Sequence, residues 1–284
     1  MAAHHKFSAF RIATLAGLLA CLVALPASAA PFFFSTGNPD GLISTASRPA
    51  SAGKIETESA DDFVLGSTTR ITGASFTGLL PTGSPLSGIS KVVVEIYRVF
   101  PLDSTNPPSG LVPTRVNSPS DNALDSRDSS LSSLSFTASI LNNSFAATNS
   151  VVNGINQSPN QFTGGEGAVT GEEVLFNINF LIPFLLSADH YFFIPQVELS
   201  SGDFLWLSAP KPIVAPGTPF LPDLQSWIRN RNLDPDWLRV GTDITHQGPF
   251  NAAFSLTGST VPEPASLALF VFGLAGLAFS RRKS

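Results

Sequence analysis

The stretch "VLFNINFLI" places Val174, Phe176, Ile178, Phe180 and Ile182 on one side of the chain and Asn177 and Asn179 on the other. A period of two is what a strand with one buried face requires. The same alternation recurs in "RITGASFTGLL" (Arg70 to Leu80), "KVVVEIYRVF" (Lys91 to Phe100), "HYFFIPQVEL" (His190 to Leu199), "GDFLWLS" (Gly202 to Ser208) and "FNAAFSLTG" (Phe250 to Gly258). Gly, Pro, Ser and Asn bound these runs and mark where strands stop. Helical periodicity is confined to "PDLQSWIRN", where Asp223 is placed to cap a helix and Leu224, Trp227 and Ile228 stand at i, i+3 and i+4. Strands with so little helix between them favour antiparallel pairing over a parallel sheet, because parallel neighbours need crossover connections. The expected fold is mainly β, a jelly-roll-like antiparallel β-sandwich over residues 30–260 with phenylalanine as the main core filler. A β-helix is the competing all-β architecture, but the fixed self-similarity of such folds is missing.

Between Asp103 and Gly171 the composition turns to Ser, Pro, Asn and Asp, as in "STNPPSGLVPTRVNSPSDNALDSRDSSLSS". Such residues bury little apolar surface, so a loop-rich insertion is expected over about 103–171, either as walls of a binding site or as a mobile linker.

The two ends differ from this body. Lys6 and Arg11 precede an apolar run from Ile12 to Leu25, and small residues follow at Ala27 and Ala29. This is the order of a secretory signal peptide over residues 1–29, cleaved after Ala29 by signal peptidase; the other reading is an uncleaved anchor helix. Ala265 to Phe279 is an uncharged run of 15 residues, and Arg281, Arg282 and Lys283 follow it. As a helix it would be about 22 Å long against a hydrocarbon core of ~30 Å, a marginal transmembrane span. The basic tail stays cytoplasmic, which puts the body on the opposite side of the membrane, in agreement with the signal peptide.

The only cysteine, Cys21, lies in the signal segment, so the body has no disulfide, thiolate metal site or cysteine nucleophile. An exported chain of this kind is stabilised by its core alone. Between Ala29 and Ala265 there are 11 basic and 21 acidic residues, a formal charge of −10. That balance argues against nucleic acid and anionic lipid as partners.

Pro262-Glu263-Pro264 keeps a glutamate in an extended, exposed segment just ahead of the short apolar run. "VPEP", the apolar run with Gly273 and Gly276, and the terminal "RRKS" together resemble the PEP-CTERM sorting signal of Gram-negative bacteria that make extracellular polysaccharide. The resemblance covers about the last 24 residues. It implies that exosortase, an integral-membrane transpeptidase-like enzyme, is the partner, that Pro262, Glu263 and Pro264 are its recognition element, and that Arg281 to Lys283 are the stop. A plain tail anchor is the alternative. "ADDFVLGSTTRITGASFTGLLP" (Ala60 to Pro81) is also similar to a segment of exported bacterial β-sandwich proteins carrying the same signal; it implies a fold and no reaction.

The candidate acids are Asp61 and Asp62, Glu172 and Glu173, Asp189, Asp203, and Asp234 with Asp236. Neighbours on a strand point to opposite faces, so adjacent pairs do not make a catalytic dyad by themselves. His190 and His246 stand outside any metal-ligand motif, and no G-x-S-x-G elbow accompanies them. In "NLDPDWLRVG", Asp234 and Asp236 are candidate calcium ligands and Trp237 a candidate ligand contact; an Asp-Pro turn ahead of a buried tryptophan explains the stretch equally. Trp206, Trp227 and Trp237 are either core residues or a sugar-stacking platform. No catalytic residue and no required cofactor is assigned. The sequence reads as an exported, non-enzymatic protein of the cell surface or extracellular matrix, associated with polysaccharide. The alternatives are a secreted polysaccharide hydrolase and a calcium-stabilised carbohydrate-binding module.

Overall fold

The computed structural model describes residues 28–155 and 162–262, and Pro31–Thr260 form one compact unit. The expected signal and transmembrane helices, Ala27, Glu263, Pro264 and Arg281 to Lys283 lie outside the described residues.

The unit is built from strands: β1 (Pro31–Ser35), β2 (Ile43–Ala46), β3 (Thr57–Leu65), β4 (Thr69–Leu80), β5 (Ile89–Arg98), β6 (Asp125–Asp128), β7 (Leu134–Ala147), β8 (Asn149–Val151), β9 (Val169–Leu186), β10 (Asp189–Leu199), β11 (Leu205–Ala209), β12 (Trp227–Asn230), β13 (Leu238–Arg239), β14 (Asn251–Ala252) and β15 (Phe254–Thr260). They form two sheets, one of nine strands and one of six in the order β13-β12-β3-β10-β5-β6. In the larger sheet β4 is the trunk. It pairs along its length with β9, which carries β7 beyond it, while β15 and then β11 pair with β4 as well. Every pairing is antiparallel except β2 with β8.

The sheets face each other across a core of phenylalanine. Phe76, Phe176, Phe254 and Trp206 of the larger sheet meet Phe63, Val94, Ile96 and Phe193 of the smaller. Phe193 stacks on Phe254 at 4.9 Å, and Phe76 on Phe176 at 4.8 Å. Each such ring, fully removed from water, contributes about 2–3 kcal/mol.

The outer face of the smaller sheet is covered too. Ala60, Tyr97, Phe192, Ile194 and Trp227 on that face pack under Trp237, Val99, Ala123 and Leu224. The residues after β5 therefore fold back over the sheet: Trp237 Nε1 donates to the Ser120 carbonyl at 3.2 Å, and Ser109 N donates to Asp236 at 2.9 Å.

Three expectations change. Asp223 to Asn230 is not helical: Trp227–Asn230 is β12, paired with β3. Trp227 is buried on one side of this strand and Ile228 on the other, and a strand covered on both faces loses the period of two. The stretch 103–171 holds β6, the 14-residue β7 and β8 rather than loop throughout. Its serines and asparagines fit a strand whose outward face meets water. Ile182 does not join its row; it is 56% exposed. The β4–β9 register shifts between Ile71 and Gly73, which turns residues 181–183 out of the core after Phe180, before Phe184 and Leu186 return to it.

Candidate functional site

The sharpest convergence of titratable groups forms where β3, β10 and the segment before β12 meet. Asp62 and His190 belong to neighbouring strands, and their side chains meet at 2.6 Å. Asp62 Oδ2 also accepts the Leu224 amide at 3.1 Å. Asp61, on the opposite face of β3, accepts the Ala252 amide at 2.9 Å. Next to them Lys211 pairs with Asp223 at 2.8 Å and donates to the Leu224 carbonyl. Asp223 is the hinge of the arrangement, since it lines two hollows. One, of about 520 Å³, is walled by Pro212, Ile213, Pro219, Phe220 and Leu221. The other, of about 360 Å³, includes Lys211, Gln225, Trp227 and Arg239. The His190 ring stands 6.2 Å from that of Phe220, which borders the first hollow.

Burial controls the charges. Asp61 and Asp62 are 0% and 1% exposed. Burial raises the Asp61 carboxyl well above its ordinary value, and the Asp62 charge adds to the rise. Asp62 is raised by burial as well, but its bond to His190 and the Leu224 amide pull against that. The unpaired Oδ1 atoms of both residues are buried without a hydrogen-bond partner. Chemically, Asp62 orients the His190 imidazole as the acid member of a dyad would. Among the described residues, no hydroxyl is hydrogen-bonded to that ring to complete a nucleophile.

A second polar network lies on the covered face of the smaller sheet. Arg229 on β12 pairs with Glu58, with Asp234 at 2.9 Å, and donates to the Tyr97 hydroxyl at 2.9 Å. Its guanidinium lies 4.4 Å over the Trp237 ring. Arg115 pairs with Asp121 and, at 3.1 Å, with Asp236, and lies 4.2 Å over Phe100. This network ties the loop after β5 to the sheet.

The other sequence candidates take structural places. Asp234 and Asp236 turn to different arginines and do not make a shared oxygen cage. Asp189 pairs with Arg98 at 3.5 Å, and Asp203 with Arg48 and Lys54 at 3.3 and 2.8 Å. Glu172 accepts the Gly83 amide at 3.2 Å, while burial raises the Glu173 carboxyl. His246 is exposed against Phe162. Trp206, Trp227 and Trp237 are at most 1% exposed, so they are core residues and form no sugar platform. Among the described residues no three His, Cys, Asp or Glu side chains are placed to hold a metal ion.

Sequence reasoning missed Lys211, Arg115, Arg229, Glu58, Glu95 and Tyr97. The signal was present in "KVVVEIYRVF", where Glu95 and Tyr97 interrupt a valine and isoleucine run on the face opposite Val94 and Ile96. A carboxyl there must find a partner on the covered face.

No curated protein matches the chain. At the C-terminal side, residues 260–283 match the family model of the PEP-CTERM protein-sorting motif. The chain carries a PEP-CTERM sorting signal. That signal marks an exported protein sorted to the cell surface through exosortase. Pro262, the first residue of the expected recognition element, follows the last strand by two positions.

Proposed function

We propose that the β-domain is a non-enzymatic surface module, cut from its anchor by exosortase near Pro262 to Pro264 and held with extracellular polysaccharide. The observation that carries the non-enzymatic reading is the fate of the acids. All the candidate carboxylates except Glu173 accept a hydrogen bond or ion pair from a cation or amide of another segment. Side chains spent on tying loops to sheets are poorly available to a substrate. The polysaccharide association rests on the PEP-CTERM signal and on the hollow beside Phe220, where an aromatic edge and the Asp223 carboxylate lie together.

The test is incubation of the exported protein with its host's extracellular polysaccharide, with and without a calcium chelator, following co-sedimentation and polymer length. Co-sedimentation without shortening is expected. No association with the polymer sinks the proposal. A hydrolase is the second reading, favoured by the Asp62–His190 pair near an open hollow. It requires polymer shortening that His190→Ala abolishes. Processing is tested separately by peptide mapping in the host: Glu263→Gln should leave peptides spanning Ala265 to Phe279 attached to the protein, and their presence in mature wild-type protein would refute cleavage.

A further inference from the structure

Sheet edges attract other strands, and proteins protect them with charge, proline or shortness. In this molecule β6, "DSRD", is charged, β13 and β14 have two residues each, β8 has three, and β1 is short and starts with Pro31. The edge of β7 has none of these protections. It runs for 14 residues, "LSFTASILNNSFAA", without a charge, proline or glycine, and among the described residues it pairs only with β9. From Leu134 to Ile140 the register against β9 is regular, and irregularities begin only beyond Ile140. A neutral seven-residue run of this kind is a template for strand addition.

We infer that β7 is a self-association edge, on which a second copy of this chain pairs β7 to β7 antiparallel across a two-fold axis. The second copy follows from self-complementarity. Centring the pair on Thr137 keeps all of Leu134 to Ile140 in register, so that Leu134 faces Ile140, Phe136 faces Ala138 and Ser135 faces Ser139 of the other copy. The side-chain period of two is preserved, so the apolar face continues across the joint and the exposed serines and threonines meet one another. No like charges oppose, because the run has none. A ladder alone buries too little surface for a stable dimer. The exposed Leu131, Leu181 and Ile182 flank the start of β7, where Ile182 N donates to the Ser133 carbonyl, and they add apolar area beyond the ladder. Such a dimer would join two larger sheets into one continuous sheet.

The experiment is sedimentation of the exported protein from micromolar to sub-millimolar concentration, with amide exchange read over residues 134–140. Wild type is expected to dimerise, with protection of this run rising with concentration. Ser135, Thr137 and Ser139 are exposed, so substitutions there leave the monomer fold intact, which thermal melting checks. Ser135→Lys with Ser139→Lys places two like-charge pairs across the axis and should weaken the dimer at least ~10-fold, about 1.4 kcal/mol. Ser135→Lys with Ser139→Glu places opposite charges at the same positions and should keep it. A wild type that stays monomeric throughout overturns the inference, as does equal behaviour of the two double variants.

Discussion

Glu95 gives the most demanding test of how charge is handled under the covered sheet face. Its carboxylate lies beside Glu58, with the Tyr97 hydroxyl 2.8 Å from Glu58 and 3.3 Å from Glu95. Burial, then the Glu58 charge and a hydrogen bond to it, push Glu95 from its ordinary 4.5 up to about 8, against the pull of Arg229. Between those values the folded protein keeps a proton that the unfolded chain has lost. Stability from this group is therefore fully present below about pH 4.5 and declines until the pH reaches about 8, where the loss is complete. At ~1.36 kcal/mol for each pH unit, the ceiling is about 5 kcal/mol. Proton sharing with Glu58 and residual solvent access reduce the expected loss to about 2–3 kcal/mol. Glu95→Gln keeps the shape and removes the ionisation. Thermal unfolding of wild type and variant, followed by circular dichroism across this range, should show nearly equal midpoints at the acid end. At the alkaline end the variant should melt about 5–10 °C higher, given ~2–4 °C per kcal/mol for a domain of this size. A midpoint difference that stays constant with pH would refute the reasoning, because it would mean that Glu95 ionises alike in both states.

Three further outcomes follow from the same structure. Arg115→Ala leaves Asp121 and Asp236 buried without their cation and should cost about 3–5 kcal/mol in a urea titration, with faster amide exchange through residues 103–124. His190→Ala should cost about 1–3 kcal/mol by stranding the Asp62 carboxylate, and adding Asp62→Asn should recover part of that loss because no charge is then left buried. Gly78→Ala would set a methyl group into the Phe204 ring and the Leu205 carbonyl, so a loss of about 1–3 kcal/mol is expected in the same titration.

The strands that face one core with one side were legible, and those covered twice were not. Val174 to Phe180 reads as a strand because only one of its faces is buried, so apolar and polar residues alternate. Trp227 and Ile228 serve two different clusters on a strand of four residues, and their spacing imitated a helix. The site failed for a related reason. Asp61 and Asp62 were visible as adjacent acids, yet their partners come from positions more than 120 residues away: His190 on the neighbouring strand, Leu224 before β12 and Ala252 on the opposite sheet. Strand order fixes those encounters, and local sequence does not encode strand order. The PEP-CTERM signal is the opposite case. Its residues stand together within 260–283, so the match needs no knowledge of strand order. The sorting address could thus be recognised within one short segment, whereas the chemistry of the body depends on which distant strands are neighbours.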